Sequence, residues 1–428
     1  MNARETAMVA HSWYEASVTR PPADAALQGA LDVDVCIVGA GYSGLSAALE
    51  LRQRGFSVAV LEAEQVAWGA SGRNGGQVLV GFANDDTVLR QLGPAAARQA
   101  WDISVAGVHL LHARVARYGI DCDLVRGYLH VATSARKAEG LRHWTAQMRD
   151  TFGYDPISDI APKDVRNWID SPRYVGAAHD ALSGHIHPLK YALGLADAAR
   201  QAGVQLFAHS AVSRIEHGPL VTLHTAQGRV RSRFALIAAN AYVGQLLGKT
   251  GARIMPVRSF IIATEPLPPE QAQALIRGRA AVCDTNFMID YFRLSADGRV
   301  LFGGRVTSGN AGPDALMPSL RARLAGVFPQ LAHVAITHAW GGLVDVTMNR
   351  APDFGRIAPN VYYLQGFCGH GVALTGMAGQ LVAEAIAGQA ERFDLFARLQ
   401  HHRYPGGPGL HSTWLRLGVA YNQLKELV

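Results

Sequence analysis

Two glycine clusters with a carboxylate between them carry the chemistry in this chain. Gly39, Gly41 and Gly44 stand at the spacing G-x-G-x-x-G, with Tyr42 and Ser43 before the last of them. Glu62 follows roughly 20 residues on. A second loop then runs Gly69-Ala70-Ser71-Gly72-Arg73-Asn74-Gly75-Gly76-Gln77. In the first motif each glycine has a job. Gly39 permits a tight turn, Gly41 clears the space where a pyrophosphate must approach the backbone, and Gly44 lets a helix pack closely on a strand. The start of that helix offers free N–H groups and the positive end of its dipole. Glu62 is placed to accept both hydroxyls of a ribose, and it would repel a 2′-phosphate, which argues against NADP. The spacing predicts a dinucleotide site.

The elements needed to position these residues are present. Val35-Cys36-Ile37-Val38 is an apolar run of strand length. Leu45 to Arg54 reads as an amphipathic helix through Leu45, Ala48, Leu49 and Leu51. Val58-Ala59-Val60-Leu61 is a second strand that delivers Glu62 and Ala63 at its tip. A lone G-x-G-x-x-G also suits an ordinary βαβ unit with a glycine turn; here strand, helix and acid all accompany it.

The stretch from Val33 to Gln77 resembles the FAD-binding start of the D-amino-acid oxidase/sarcosine oxidase superfamily. Trp68 to Gln77 is most similar to the bacterial γ-glutamylputrescine oxidase group. The resemblance covers nearly the whole chain. It implies FAD, with Gly69, Ala70, Ser71, Arg73, Asn74, Gly75, Gly76 and Gln77 beside the flavin and the pyrophosphate. A nicotinamide dehydrogenase built on the first unit alone would leave the later glycine loops unexplained.

Composition narrows the class. The chain has 428 residues, 49% of them apolar and 17% charged, which suits a globular protein with a large core. The net charge of +6 comes without a run of Lys or Arg, so it predicts a solvated surface and no nucleic-acid stripe. Cys36, Cys122, Cys283 and Cys368 form no C-x-x-C pair, a usage that fits a reducing cytoplasm. The first residues lack the apolar core of a signal peptide, and no apolar run is long enough to span a bilayer. The expectation is a cytoplasmic enzyme with a small-molecule substrate, no nucleic acid and no membrane span; its oligomeric state is left open.

The predicted fold class is α/β, α+β overall: a Rossmann-like FAD-binding domain joined to a substrate domain built on an antiparallel sheet. Residues 31–84, 151–250 and 336–428 are assigned to the FAD-binding domain, 85–150 and 251–335 to the substrate domain, and 1–30 to an N-terminal arm pinned by Ser12-Trp13-Tyr14. A helix from Leu189 to Ala202 ends at Gly203, and strands follow at Val204–Phe207 and Ala211–Ile215. By resemblance the backbone of Val212 holds adenine. The buried strand Phe234–Ala241 ends on small residues, so Ala239 and Asn240 let a cofactor lie near the backbone. Met255 to Thr264 alternates like a strand, and Asp297-Gly298 marks a hairpin. His185 and His187 lack a third ligand nearby, so no metal is expected. A terminal helix is expected from Tyr404 through Trp414 to Val428.

Near the C-terminus comes the second strong signal. A strand at Val361–Leu364 leads into Gly366-Phe367-Cys368-Gly369-His370-Gly371, then a helix from Val372 to Ala387. A glycine-preceded helix start is again an anion site. By resemblance this helix faces the pyrimidine side of the flavin, with Gly369, His370, Gly371 and Val372 in contact. A plain loop and C-terminal helix is the other reading of the same residues.

The resemblance implies oxidation of an amine by hydride transfer to the flavin N5. Hydrolysis of the imine gives an aldehyde or keto product. Reoxidation by O2, giving H2O2, or by another electron acceptor completes the cycle. Candidate catalytic residues are His370, Tyr291, Arg73, Trp340 and Arg305. Tyr291 and Trp340 are expected as an amine cage, although core packing suits either aromatic as well. Arg293 and Arg305 are expected on the same sheet, where an arginine suits a γ-glutamyl carboxylate. Three departures from the superfamily matter. Leu343-Val344-Asp345-Val346-Thr347 holds no cysteine where sarcosine oxidases attach FAD, so non-covalent FAD is expected. By resemblance Val372 and Ala373 stand where sarcosine oxidases have a substrate-binding lysine, and their oxygen-activating lysine matches an apolar position near Leu301. An amino-acid oxidase or a dehydrogenase using another acceptor is the alternative.

Overall fold

The computed structural model describes residues 8–9, 11–286, 288–307, 312–406, 410, 413–415 and 417. Two β-sheets organise it. The first orders its strands Asp353–Ala358, Val361–Gln365, Gly228–Ile237, Gly29–Val38, Val58–Leu61 and Gln205–Phe207. Gly29–Val38 pairs in parallel with both Val58–Leu61 and Gly228–Ile237. Gln205–Phe207 and Val361–Gln365 extend the parallel run on either side. Parallel strands are covered on both faces and read as unbroken apolar runs; Val35, Cys36, Ile37 and Val38 are all buried. Arg214–Glu216 and Val221–His224 attach as an antiparallel flap.

The second sheet orders Ile336–Thr347, Ile254–Thr264, Val300–Thr307, Tyr291–Leu294, Ala281–Asp284, Val125–Ala132, Gly176–His185 and Gln77–Val78. It is antiparallel except where Ala281–Asp284 meets Val125–Ala132. The hairpin at Asp297-Gly298 joins Leu294 to Val300, with Gly298 at φ +83°. Phe260, Phe292, Phe302 and Phe328 form the core of this half.

Sheet membership differs from the sequence grouping in four places, the first being Gln77–Val78, which joins the second sheet beside Gly176–His185. Ile157–Ile160, Gly176–His185 and Ile336–Thr347 pair in the second sheet, although their residues were grouped with the FAD-binding half. Gly176–His185 reads GAAHDALSGH and carries no β-branched residue. Its strand character comes from pairing with Val125–Ala132 on one side and Ile157–Ile160 on the other, which local propensity does not show. The strand expected over Ala211–Ile215 is confined to Arg214–Glu216, and the buried strand expected over Phe234–Ala241 runs Gly228–Ile237.

Three helices cover the parallel sheet: Tyr42–Gln53, Pro188–Gln201 and Leu374–Ile386. His187 caps the second by accepting the Lys190 N–H at 3.2 Å, and Pro188 takes the first helical position, where a missing N–H costs nothing. The arm is fastened by the one-turn helix Trp13–Ala16, capped by Ser12. The Trp13 and Tyr14 rings pack on His187 with centroids 5.2 and 4.9 Å away. The terminal helix expected from Tyr404 to Val428 falls largely outside the described residues.

Candidate active site

The glycine turn is built as its spacing requires. Gly39 adopts φ +105°, and a Cβ there would lie 2.7 Å from the Ala238 carbonyl oxygen. A Cβ on Gly44 would lie 2.0 Å from the Gly39 carbonyl oxygen, so the helix can sit on the strand only without a side chain. A Cβ on Gly41 would meet the Ser71 hydroxyl at 2.8 Å. That hydroxyl accepts the Tyr42 N–H at 3.0 Å and so joins the second loop to the helix start. Glu62 accepts from Ala40 N at 2.8 Å and from Glu64 N at 3.0 Å. Burial raises its pKa, while these backbone donors hold it down.

The second loop is stapled from inside. Asn74 donates to the Ala70 carbonyl at 3.0 Å and accepts the Gly76 N–H at 2.7 Å. Arg73 is buried and donates to Gly341 O at 3.2 Å and to the Tyr242 hydroxyl at 2.8 Å. It also lies over the Trp68 ring at 4.6 Å. These contacts tie the loop to the strand Ile336–Thr347. Gln77 donates to Val282 O and accepts from the Tyr128 hydroxyl, at 3.0 and 3.2 Å.

The C-terminal loop closes the other side. Cys368 and Gly369 take φ of +54° and +83°, and the helix Leu374–Ile386 follows. Asp345 holds this loop: its carboxylate accepts the Gly366 N–H, and its carbonyl accepts Cys368 N at 3.0 Å. Burial pushes the Asp345 carboxyl up to about 7, against the backbone donors around it. The helix crosses Tyr42–Gln53 so closely that a Cβ on Gly379 would touch Ala47 N and Ser43 O, each at 2.7 Å. Two helix N-termini therefore open on one space, and each favours anionic groups.

That space is a cavity of about 1620 Å³ between the two sheets. It exceeds the roughly 300–1,000 Å³ of ordinary ligand pockets, and so has room for a dinucleotide together with a substrate. Gly39, Gly41, Tyr42, Ser43, Glu62, Ala63, Val212, Ala239 and Asn240 line one reach of it. Gly69, Ala70, Ser71, Arg73, Asn74, Gly75 and Gln77 line the middle, and Gly369, His370, Gly371 and Val372 the far side. Gly44 and Gly76 do their work behind the wall; a Cβ on Gly76 would lie 2.1 Å from Ile186 O.

The wall facing the C-terminal loop carries Tyr128, His130, Ser259 and Tyr291. Tyr291 lies flat on the backbone: a Cβ on Gly75 or Gly303 would come within 2.8 or 2.3 Å of its ring. Burial pushes its phenol up to about 12, and its oxygen is 3.3 Å from the Ser259 hydroxyl. His370 Nε2 lies 2.8 Å from the Val80 carbonyl oxygen. A carbonyl only accepts, so Nε2 carries the proton and Nδ1 is left as an acceptor. Burial holds the pKa of His370 below its ordinary value, against the Val80 bond. His130 is lowered too, by burial first; Asp180 opposes that and His370 adds to it.

One candidate residue, Trp340, stands elsewhere than expected, and Arg305 keeps its expected place on the sheet. Trp340 is fully buried; its indole N–H donates to the Arg73 carbonyl at 3.0 Å, and its ring packs edge-on against Tyr14 at 5.1 Å. It braces the second loop and is no part of an amine cage, because no solvent-accessible surface of it reaches the cavity. Arg305 pairs with Phe260 on Val300–Thr307, but its side chain lies outside the described residues. His185 and His187 bind Arg279 O, the Ser17 hydroxyl and Lys190 N. Tyr128 and His130 were missed as site residues. Their spacing shows only that they share one face of the strand Val125–Ala132, and the packing of the second sheet turns that face to the cavity.

Comparison with known proteins agrees with this geometry. The family model for FAD dependent oxidoreductases (DAO) matches residues 34–385. The chain is 39% identical over 417 residues to a γ-glutamylputrescine oxidoreductase of Escherichia coli K12, covering 97% of this chain and 98% of the relative. It is 40% identical over 395 residues to the probable oxidoreductase OrdL of Haemophilus influenzae, covering 91% and 90%. Among solved structures, glycine oxidase from Geobacillus kaustophilus superposes with a TM-score of 0.74 at 23% identity, covering 88% of this chain and all of that one.

Proposed function

Since this chain belongs to the FAD dependent oxidoreductase family, we propose that it oxidises an amine, γ-glutamylputrescine or a close relative of it. The observation that carries the reading is a set of neutral titratable groups around the part of the cavity between the C-terminal loop and the second sheet. Tyr128, Tyr291, His130 and His370 all line this part, and burial keeps each of them uncharged. Such surroundings favour the free amine, whose nitrogen lone pair drives loss of the neighbouring hydride. The full-length likeness to the E. coli relative supports the choice of amine.

FAD, when bound, supplies the hydride acceptor at N5. Glu62 receives the ribose hydroxyls, and the first turns of Tyr42–Gln53 and Leu374–Ile386 offer N–H groups to its anionic parts. Asn74 and Arg73 keep the second loop rigid under it. His370 Nδ1 accepts a hydrogen bond from the substrate or the cofactor, and Tyr291 covers the reacting carbon. Arg258, buried and lining the same cavity, suits a carboxylate such as that of a γ-glutamyl group. It would suit an amino acid equally, which keeps an amino-acid oxidase as the second reading.

We hold FAD to be non-covalent. Cys283 and Cys368 line the cavity, but burial pushes both thiols up to about 12, far from the thiolate an attachment needs. Leu301 is buried and apolar, so oxygen or another acceptor closes the cycle without a lysine there. Among the described residues no helix is long and apolar enough to cross a membrane. All four cysteines are free, which supports a reducing cytoplasm. A panel of amines and amino acids, scored for peroxide and aldehyde, tests the reading. Turnover of γ-glutamylputrescine above the amino acids supports it; turnover of amino acids alone replaces it with the second reading.

A further inference from the structure

Among the described residues Arg293 is a buried cation without a counter-ion. It is 2% exposed, and its three contacts are all neutral: Gly75 O at 2.7 Å, Leu294 O at 3.4 Å and the Tyr14 hydroxyl at 3.1 Å. Among the described residues no carboxylate lies within ion-pair distance of it. The titratable groups nearby do not compensate. Tyr14 stays protonated because burial raises its pKa more than Arg293 lowers it. His185 and His187 are both pushed down to about 3, by burial first and Arg293 second. A guanidinium buried this way is strongly unfavourable unless an anion arrives.

The direction from which an anion can come is set by two glycines. Gly75 lines the cavity. A Cβ on Gly76 would lie 2.9 Å from Arg293 Nη2. Tyr291, two residues earlier on the same strand and so on the same face, lines the cavity. Arg293 thus sits one backbone layer behind the wall, with no side chain on Gly75 or Gly76 to screen its field.

We propose that Arg293 is an electrostatic positioning residue for the cofactor, and that the anion it lacks is bound FAD, most of all in its reduced state. On taking up two electrons and one proton the oxidised ring gains one negative charge. A fixed cation behind the loop favours that state and makes the flavin easier to reduce. The inference rests on FAD binding and is independent of the substrate.

The test uses three variants of the full chain. Arg293→Met removes the charge, Arg293→Lys keeps it, and His185→Glu leaves Arg293 in place but sets a carboxylate beside it. Dithionite titration gives the flavin midpoint potential; fluorescence quenching gives FAD affinity for the apoprotein. The Met and Glu variants are expected to shift the potential negative and to bind FAD about tenfold or more weakly, with the Lys variant near wild type. A purely structural Arg293 would lower the melting temperature of apo and holo Met variants alike and leave every potential unchanged, which overturns the proposal. Should the Met variant fail to accumulate, an unchanged potential in His185→Glu overturns it just as well, as does a Lys variant shifted as far as the Glu one. A wild-type protein without flavin would instead refute the cofactor reading.

Discussion

Gly379 meets Ala47 backbone to backbone: a methyl group on Gly379 would sit 2.7 Å from the Ala47 nitrogen. This crossing brings the N-termini of Leu374–Ile386 and Tyr42–Gln53 onto one cavity. Gly379→Val should therefore separate the two helices. Overpacking of this kind costs roughly 1–3 kcal/mol, and FAD retention should fall with it. A melt of the holoprotein and the absorbance ratio of flavin to protein measure both. A variant that melts with wild type and keeps its flavin would show that the crossing is looser than described.

Glu62→Ala removes the acceptor expected to bind the ribose and also frees the Ala40 and Glu64 N–H groups. Hydrogen bonds to a charged group are worth roughly 1.5–3 kcal/mol, so FAD should bind about 10- to 100-fold more weakly. Ultrafiltration followed by flavin fluorescence reads the loss. Unchanged affinity would place the ribose elsewhere.

Trp340 and Tyr291 should separate cleanly by kinetics. Trp340→Phe orphans the Arg73 carbonyl and should cost about 1–3 kcal/mol of stability while KM stays near wild type. Tyr291→Leu empties part of the cavity wall and should lower kcat/KM by about tenfold or more. Steady-state assays paired with denaturation curves check both, and a raised KM in Trp340→Phe would return that residue to the substrate site.

Acid should unfold the protein partly through its histidines. His187 is held at about 3 by burial and by Arg293, against an ordinary value of about 6.5. Between those values the unfolded chain carries a proton that the folded one lacks, so stability falls as pH falls. Asp85 and Asp345, both pushed up to about 7, act in the opposite sense between about 4 and 7. His187→Asn keeps a helix cap and removes one of these protons. The slope of unfolding free energy against pH should drop by about 1.4 kcal/mol per pH unit between roughly pH 4 and 6. An equal slope in the two proteins would mean that His187 charges inside the fold.

The glycine turn was readable because its spacing is written within one short stretch of sequence, although two of the contacts that require it are distant. Gly39, Gly41 and Gly44 answer to contacts with Ala238, Ser71 and Gly39 itself, and Glu62 reaches back to Ala40. The C-terminal loop was readable for the same reason, since Gly369 and the helix behind it are adjacent in sequence. What depends on distant pairing was not. Gly176–His185 gains its strand from partners with no local signal. Trp340 looked like a ligand-facing aromatic until the strand register set it behind Arg73. Tyr128 and His130 become site residues only when the second sheet folds over the first.

The most direct test is the visible spectrum of the purified protein, recorded without oxygen before and after addition of γ-glutamylputrescine. The account predicts an oxidised-flavin spectrum that bleaches on addition of the amine. A protein that carries no flavin, or a flavin that no amine bleaches, would contradict it.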